Sequence, residues 1–236
     1  MPSTDARSRH DSRIRRSTLL MFAIFGFLTL GISTTARAQS CRGVPMQTAF
    51  VRGLVGFPGD DSFLSGGGEI GARLGGPHIL SFEYDHLRIA HNGSSGDSYA
   101  LRYYAEFNSR QLSFCFVAAY TRGYSLVRNE EGSHANAHVT EVNLPIGAAI
   151  GYSTYAGGGI GLTPYAKGSF VISDSSYELY DRSKTLDSGG DLGIILALEL
   201  GISITFSRFF VGADLYWPFY SNGADTNYEV FFGGSI

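Results

Sequence analysis

Between Leu192 and Phe206 every even-numbered residue is apolar, while the odd positions are mostly small or polar, as at Gly193, Ala197, Glu199, Gly201, Ser203 and Thr205. A period of two is that of a strand with one apolar face. Ser207-Arg208 follows, and the apolar parity then switches to odd: Phe209, Val211, Ala213, Leu215, Trp217, Phe219. A two-residue hairpin requires that switch, because Phe206 and Phe209 then oppose one another on the same face. The register predicts Tyr216 opposite Glu199 and Asp214 opposite Gly201.

The same alternation recurs upstream with no helical period between. Segments with one apolar parity are read at residues 48–57, 68–74, 79–88, 99–107, 112–124, 138–155 and 160–172, before the hairpin and a final segment at 228–236. That makes ten strands, or eight if the weakly patterned first one and the short second one drop out. Pro145 and Pro164 fall inside strands, where a missing donor is expected to mark a bulge. Glycine contributes 31 of 236 residues and charged residues only 17%, a composition suited to many small and aromatic strand residues. At the N-terminus Arg13, Arg15 and Arg16 precede an apolar core from Leu19 to Ile32, followed by Ala36-Arg37-Ala38. The core is shorter than the roughly twenty residues of a spanning helix. It reads as a secretory signal peptide cut after Ala38.

The chain closes on Tyr228, Val230, Phe232, Gly234 and Ile236, one face of a last strand. This resembles the C-terminal assembly signal of bacterial outer-membrane β-barrels, which usually ends in Phe where this chain has Ile236. Together with the signal peptide and the alternating segments, residues 48–236 resemble the small OmpA-like barrels. The resemblance implies an all-β fold, an antiparallel up-and-down transmembrane β-barrel. Residues 1–38 are then the signal peptide, 39–47 a periplasmic N-terminal segment and 48–236 the barrel. It implies a place in the outer membrane, outer-membrane lipid around the barrel, and the barrel-assembly machinery as a partner of the last strand. The connections alternate short and long, as periplasmic turns and extracellular loops do in this family. A soluble secreted barrel, with the apolar parity inward, is the competing fold.

Charge parity separates the two. Arg52, Glu69, Arg73, Glu83, Asp85, Arg102, Glu106, Glu141, Lys167, Glu199, Asp214 and Glu229 all lie opposite the apolar parity. They are expected to line the lumen as a charge network, with Lys167 and Arg102 balancing Glu199 and Asp214. Only Arg88 and Arg122 break the rule, both near extracellular strand ends. A formal charge of −3 gives no basic excess for nucleic acid.

Specific chemistry is sparse. His86, His91, His134 and His138 match no ligand spacing. Phe219-Tyr220-Ser221-Asn222 is faintly similar to a His-x-Ser-Asn stretch of lipid A deacylases, with Phe219 where the base would be. No catalytic, metal or cofactor residue is assigned. The expected role is structural or surface interaction through extracellular loops, with Tyr177, Tyr180, Arg182 and Lys184 of the longest loop, 173–190, as contacts. A small channel favouring cations is the alternative, since inward acids outnumber bases eight to four. A loop-borne hydrolase is the third reading. Cys41 and Cys115 are both expected at the periplasmic end, in an oxidising compartment. A disulfide between them is one outcome and two separate thiols the other.

Overall fold

In the computed structural model, residues 43–44, 48–58, 63–89, 95–109, 111–128, 135–156, 160–181, 184–219 and 226–235 are described. The strands are β1 (Ala49–Pro58), β2 (Phe63–Gly75), β3 (His78–Ile89), β4 (Ser95–Ser109), β5 (Leu112–Arg128), β6 (Ala135–Tyr152), β7 (Thr154–Ala156), β8 (Ile160–Asp181), β9 (Lys184–Phe206), β10 (Phe209–Phe219) and β11 (Asn227–Ser235). Sequence neighbours pair antiparallel all the way round, and β1 pairs with β11 to close the sheet on itself. β6 and β7 form a single stave: both pair with β8 in one continuous register, from Gly151–Tyr165 to Thr154–Leu162. The described residues therefore form a closed, ten-stave, up-and-down antiparallel barrel, which decides between the ten and eight strands expected. Closure pairs every stave on both sides and leaves no sheet edge around the wall.

The barrel is inside-out relative to a soluble one. Phe170, Phe209 and Leu192 are 62%, 71% and 71% exposed, and the remaining outward positions on all ten staves are mostly aromatic or aliphatic. Inside lie Arg52, Glu69, Glu106, Lys167, Glu199 and Asp214, all buried. An apolar belt around a polar interior is what hydrocarbon as the outer solvent selects. The chain is a transmembrane β-barrel, and the soluble alternative does not hold.

The Ser207-Arg208 hairpin has the expected register, with Phe206 opposite Phe209, Glu199 opposite Tyr216 and Gly201 opposite Asp214. Ser207 takes φ 58°, the left-handed value that turns the chain in two residues. At the other expected tight turn, Gly75 and Gly76 have φ 133° and 54°, and the β2–β3 register shifts beside them.

Two expectations are corrected. Neither proline makes a bulge. Pro164 would lie opposite Tyr152, and there the β6/β7 ladder is interrupted with its register unchanged. Likewise the β5–β6 ladder skips Ala119 and Tyr120, beside Pro145, and resumes in step. A missing amide removes a rung, and the neighbouring rungs hold the register. Second, the longest expected loop is largely sheet. β8 and β9 run on through 173–181 and 184–191, paired from Ser173–Gly193 to Asp181–Lys184, with a register shift beside Tyr180. Tyr177, Tyr180 and Lys184 are therefore strand residues of a β-ribbon, and Arg182 lies outside the described residues. Phe63–Gly67 is likewise strand where loop was expected. The signal peptide, Cys41, His91, His134, Ser221 and Asn222 also lie outside the described residues.

Placing Phe170→Arg on the lipid side should destabilise the barrel by about 2–4 kcal/mol in urea titrations of protein folded into lipid vesicles.

Candidate functional site: the lumen and its raised rim

The barrel interior divides into a tight-turn half and a half toward the longer connections. Four inward glycines organise the first. The ring of Phe50 lies over Gly71, that of Tyr165 over Gly201, that of Phe231 over Gly212 and that of Phe210 over Gly233; a Cβ built on each glycine would sit 2.2–2.5 Å from the nearest atom of the ring or adjoining backbone. Small residues on one stave thus make room for rings from the next. The rings, with Leu54 and Val44, form one buried apolar cluster. Ile79, Tyr104, Cys115, Val117 and Ala149 form a second.

Paired charges cross the middle. Arg52, 0% exposed, stands 3.0 Å from Glu69, 3.6 Å from Glu83 and 3.7 Å from Glu229, and its guanidinium lies 5.0 Å from the centroid of the Phe231 ring. Ser81 donates a 2.6 Å hydrogen bond to Glu69. Arg102 pairs with Glu83 and Lys167 with Glu199, while Arg73 reaches Glu106 at 2.8 Å. Asp214 accepts a 2.7 Å hydrogen bond from Tyr165. Glu141 sits apart, exposed on β6 and bonded by Asn143 at 2.8 Å.

Beyond the charges the lumen is open. A cavity of about 540 Å³ is lined by Asp85, Thr121, Glu141, Asn143, Asn227 and Glu229 among others. A smaller one of about 250 Å³ shares Asn143 and Glu229 with it and reaches Lys167, Glu199 and Asp214. The result is an acid-rich vestibule whose floor is a salt-bridged layer.

The rim above this vestibule is uneven. β9 pairs with β10 only as far as Leu196–Phe219. Its residues 184–195 have no described partner on that side, while β5, β6, β8 and β9 stay paired with one another to their tips. The step lies between β9 and β10, where β9 stands above its neighbour with an edge that has no partner among the described residues over about 40 Å at ~3.3 Å per residue. Tyr177 covers Gly189 on it, and Leu192 and Ile194 point outward at its foot. On the outer face below the rim, Asp97 accepts hydrogen bonds from Tyr84 at 2.6 Å and His86 at 2.9 Å, and Arg122 lies over the Tyr124 ring. His138 is exposed on β6, and no three of His, Cys, Asp or Glu converge on a metal-sized site among the described residues. The rings over glycines and the raised edge were not anticipated from the sequence.

No protein-family model matches the chain, and no curated protein matches it in sequence. Solved structures with a similar fold include the translocator domain of the autotransporter NalP from Neisseria meningitidis. It is 11% identical, covers 97% of this chain and 98% of its own, and has a TM-score of 0.48. The N-terminal barrel of Pseudomonas aeruginosa OprF is 12% identical over 80% of this chain and 97% of its own, with a TM-score of 0.34. Ail, the attachment invasion locus protein of Yersinia pestis, is 10% identical over 80% and 97%, with a TM-score of 0.36. The likeness is one of barrel architecture.

Replacing Arg52 by Met should strand Glu69 in the interior and cost about 3–5 kcal/mol in equilibrium unfolding, with the added Glu69→Gln change recovering part of the loss. Gly201→Val should push the Tyr165 ring off its seat and cost about 1–3 kcal/mol in the same measurement.

Proposed function

We propose that this chain is a bacterial outer-membrane barrel that acts at the cell surface through its raised sheet, and not by conduction through its lumen. The observation that carries the reading is the edge of β9 at residues 184–195, which has no partner among the described residues on the β10 side and is backed by β8 and β6 on the other. A free edge offers a row of backbone donors and acceptors, and an extended peptide can add to it as a further strand. The export signal and the alternating C-terminal strand support the outer membrane as its place, with the raised sheet outside and the tight turns in the periplasm. The salt-bridged layer around Arg52 supports a closed lumen, because a continuous water path would have to part several buried ion pairs.

Two measurements test the two halves. In planar bilayers the intact protein should be silent; stable cation-selective steps would favour a channel through the acidic vestibule. Cells displaying the protein should retain immobilised extended decapeptides of suitable sequence from a random panel. A variant with residues 177–188 replaced by a two-residue turn should keep its heat-modifiable gel migration and lose that retention. Equal retention by the two proteins would remove the edge from consideration.

A further inference from the structure

Two arginines stand on the lipid side of the wall. Arg88 on β3 and Arg122 on β5 break the inward parity of the charges, and both are exposed. The register places them on one outward lattice with β4 between them. Arg88 lies opposite Ser95, His86 opposite Asp97, and Arg122 opposite Tyr99. The row below Tyr99, toward the tight turns, is Phe82, Leu101 and Tyr120, all exposed. The two cations thus begin where the apolar belt ends. On β1, β2, β10 and β11 no outward side chain among the described residues is charged, so the feature belongs to one arc of the circumference.

The arginines sit among interfacial rings. Tyr84 and Tyr99 have their centroids 5.2 Å apart, and the Arg122 guanidinium lies 4.8 Å from the centroid of Tyr124. Tyrosines at the edge of an apolar belt form the girdle of a membrane interface, with the ring toward hydrocarbon and the hydroxyl toward water. Asp97, the carboxylate between the two arginines, already accepts hydrogen bonds from Tyr84 at 2.6 Å and from His86 at 2.9 Å. Among the described residues neither arginine has an ion-pair partner. Four residues along and two staves across separate their Cα atoms by about 16 Å, at ~3.3 Å per residue and ~4.8 Å per stave. An arginine is costly at the middle of a bilayer and tolerated at its interface, where phosphate oxygens can replace the water it gives up.

We propose that Arg88 and Arg122 form a binding site for an outer-leaflet lipid whose headgroup carries more than one phosphate. Each guanidinium takes one phosphate through a fork of two hydrogen bonds, and Arg122 is steadied for this by the face of Tyr124. The acyl chains run down the wall over Phe82, Leu101 and Tyr120. The site rests on the membrane placement proposed above, with the longer connections outside. It does not rest on the β9 edge, which belongs to another stave.

The test uses the full-length exported protein in a neutral detergent. It is titrated with diphosphoryl lipid A, with the monophosphoryl form and with phosphatidylcholine, and bound lipid is counted by native mass spectrometry. The wild type should hold one diphosphoryl lipid A per barrel. It should bind the monophosphoryl form roughly tenfold more weakly, the loss expected for one charge-assisted contact. Phosphatidylcholine should not compete. Arg88→Gln combined with Arg122→Gln should weaken binding by about a hundredfold, two such contacts, with heat-modifiable migration unchanged. The paired lysine variant, which keeps both charges, should lose less. Arg208→Gln removes an exposed arginine from the tight turn at the other end and should bind as the wild type does. Equal affinity of the wild type for the two forms of lipid A would overturn the site without recourse to any variant. A loss on Arg208→Gln as large as that of the double change would reduce the effect to general charge attraction. Displacement of the lipid by millimolar inorganic phosphate would leave a free-phosphate site and remove the lipid. Failure here leaves peptide retention by the β9 edge untouched, so the two readings fall separately.

Discussion

Hydrocarbon gives an unpaired amide no partner, so a sheet that crosses it must close. Here closure rests on nine residue pairs between β1 and β11, from Phe50–Ser235 to Pro58–Asn227. Those strands are the first and the last described, so the wall is complete only when both ends of the chain have met. Arg52 braces that seam from within. It belongs to β1 and reaches Glu229 on β11 across the seam, and Glu69 and Glu83 on β2 and β3 in the other direction. Taking a guanidinium out of water is costly, and it is tolerated because three carboxylates and the face of Phe231 replace the lost hydration.

Once the circumference is set, so is the interior volume, and the two ends use it differently. Toward the tight turns it is filled with rings on glycines and with Val44. Toward the longer connections it is wet and acidic. The β9 edge that has no described partner over residues 184–195 lies on that wider side. The described residues thus set an apolar belt, a packed floor and an acidic vestibule along one axis.

How far this could be read from the sequence depended on which solvent each residue meets. Along Leu192–Phe219 one face meets lipid, so alternation is strict and the two-residue turn fixes the register residue by residue. Inward charges were legible for the same reason, by being excluded from the apolar parity. At Ser173–Asp181 and Lys184–Asp191 lipid no longer imposes a preference. Glycine, serine and aspartate serve as well as anything there, and the period vanishes while backbone pairing continues. Phe63–Gly67 was hidden in the same way. Partners within the lumen, such as Asp214 with Tyr165 two staves away or Arg102 with Glu83 on the neighbouring stave, could not be read from parity. Parity says which residues face inward and not how far each reaches.

The rings seated on glycines bear on a weakness of the alternating pattern itself. A slip of one residue between neighbouring staves would turn charges to the lipid, and the pattern forbids it. A slip of two residues keeps every face correct, so polarity alone cannot reject it. Steric fit can. Two residues out of step, Phe231 would lie against Phe210 or Asp214 in place of Gly212, and Phe210 against Phe231 or Ser235 in place of Gly233. No such neighbour leaves space for a ring lying flat on the wall. The four glycines thus act as keyed slots that accept one alignment of their staves, and they proofread during assembly what hydrophobicity cannot distinguish.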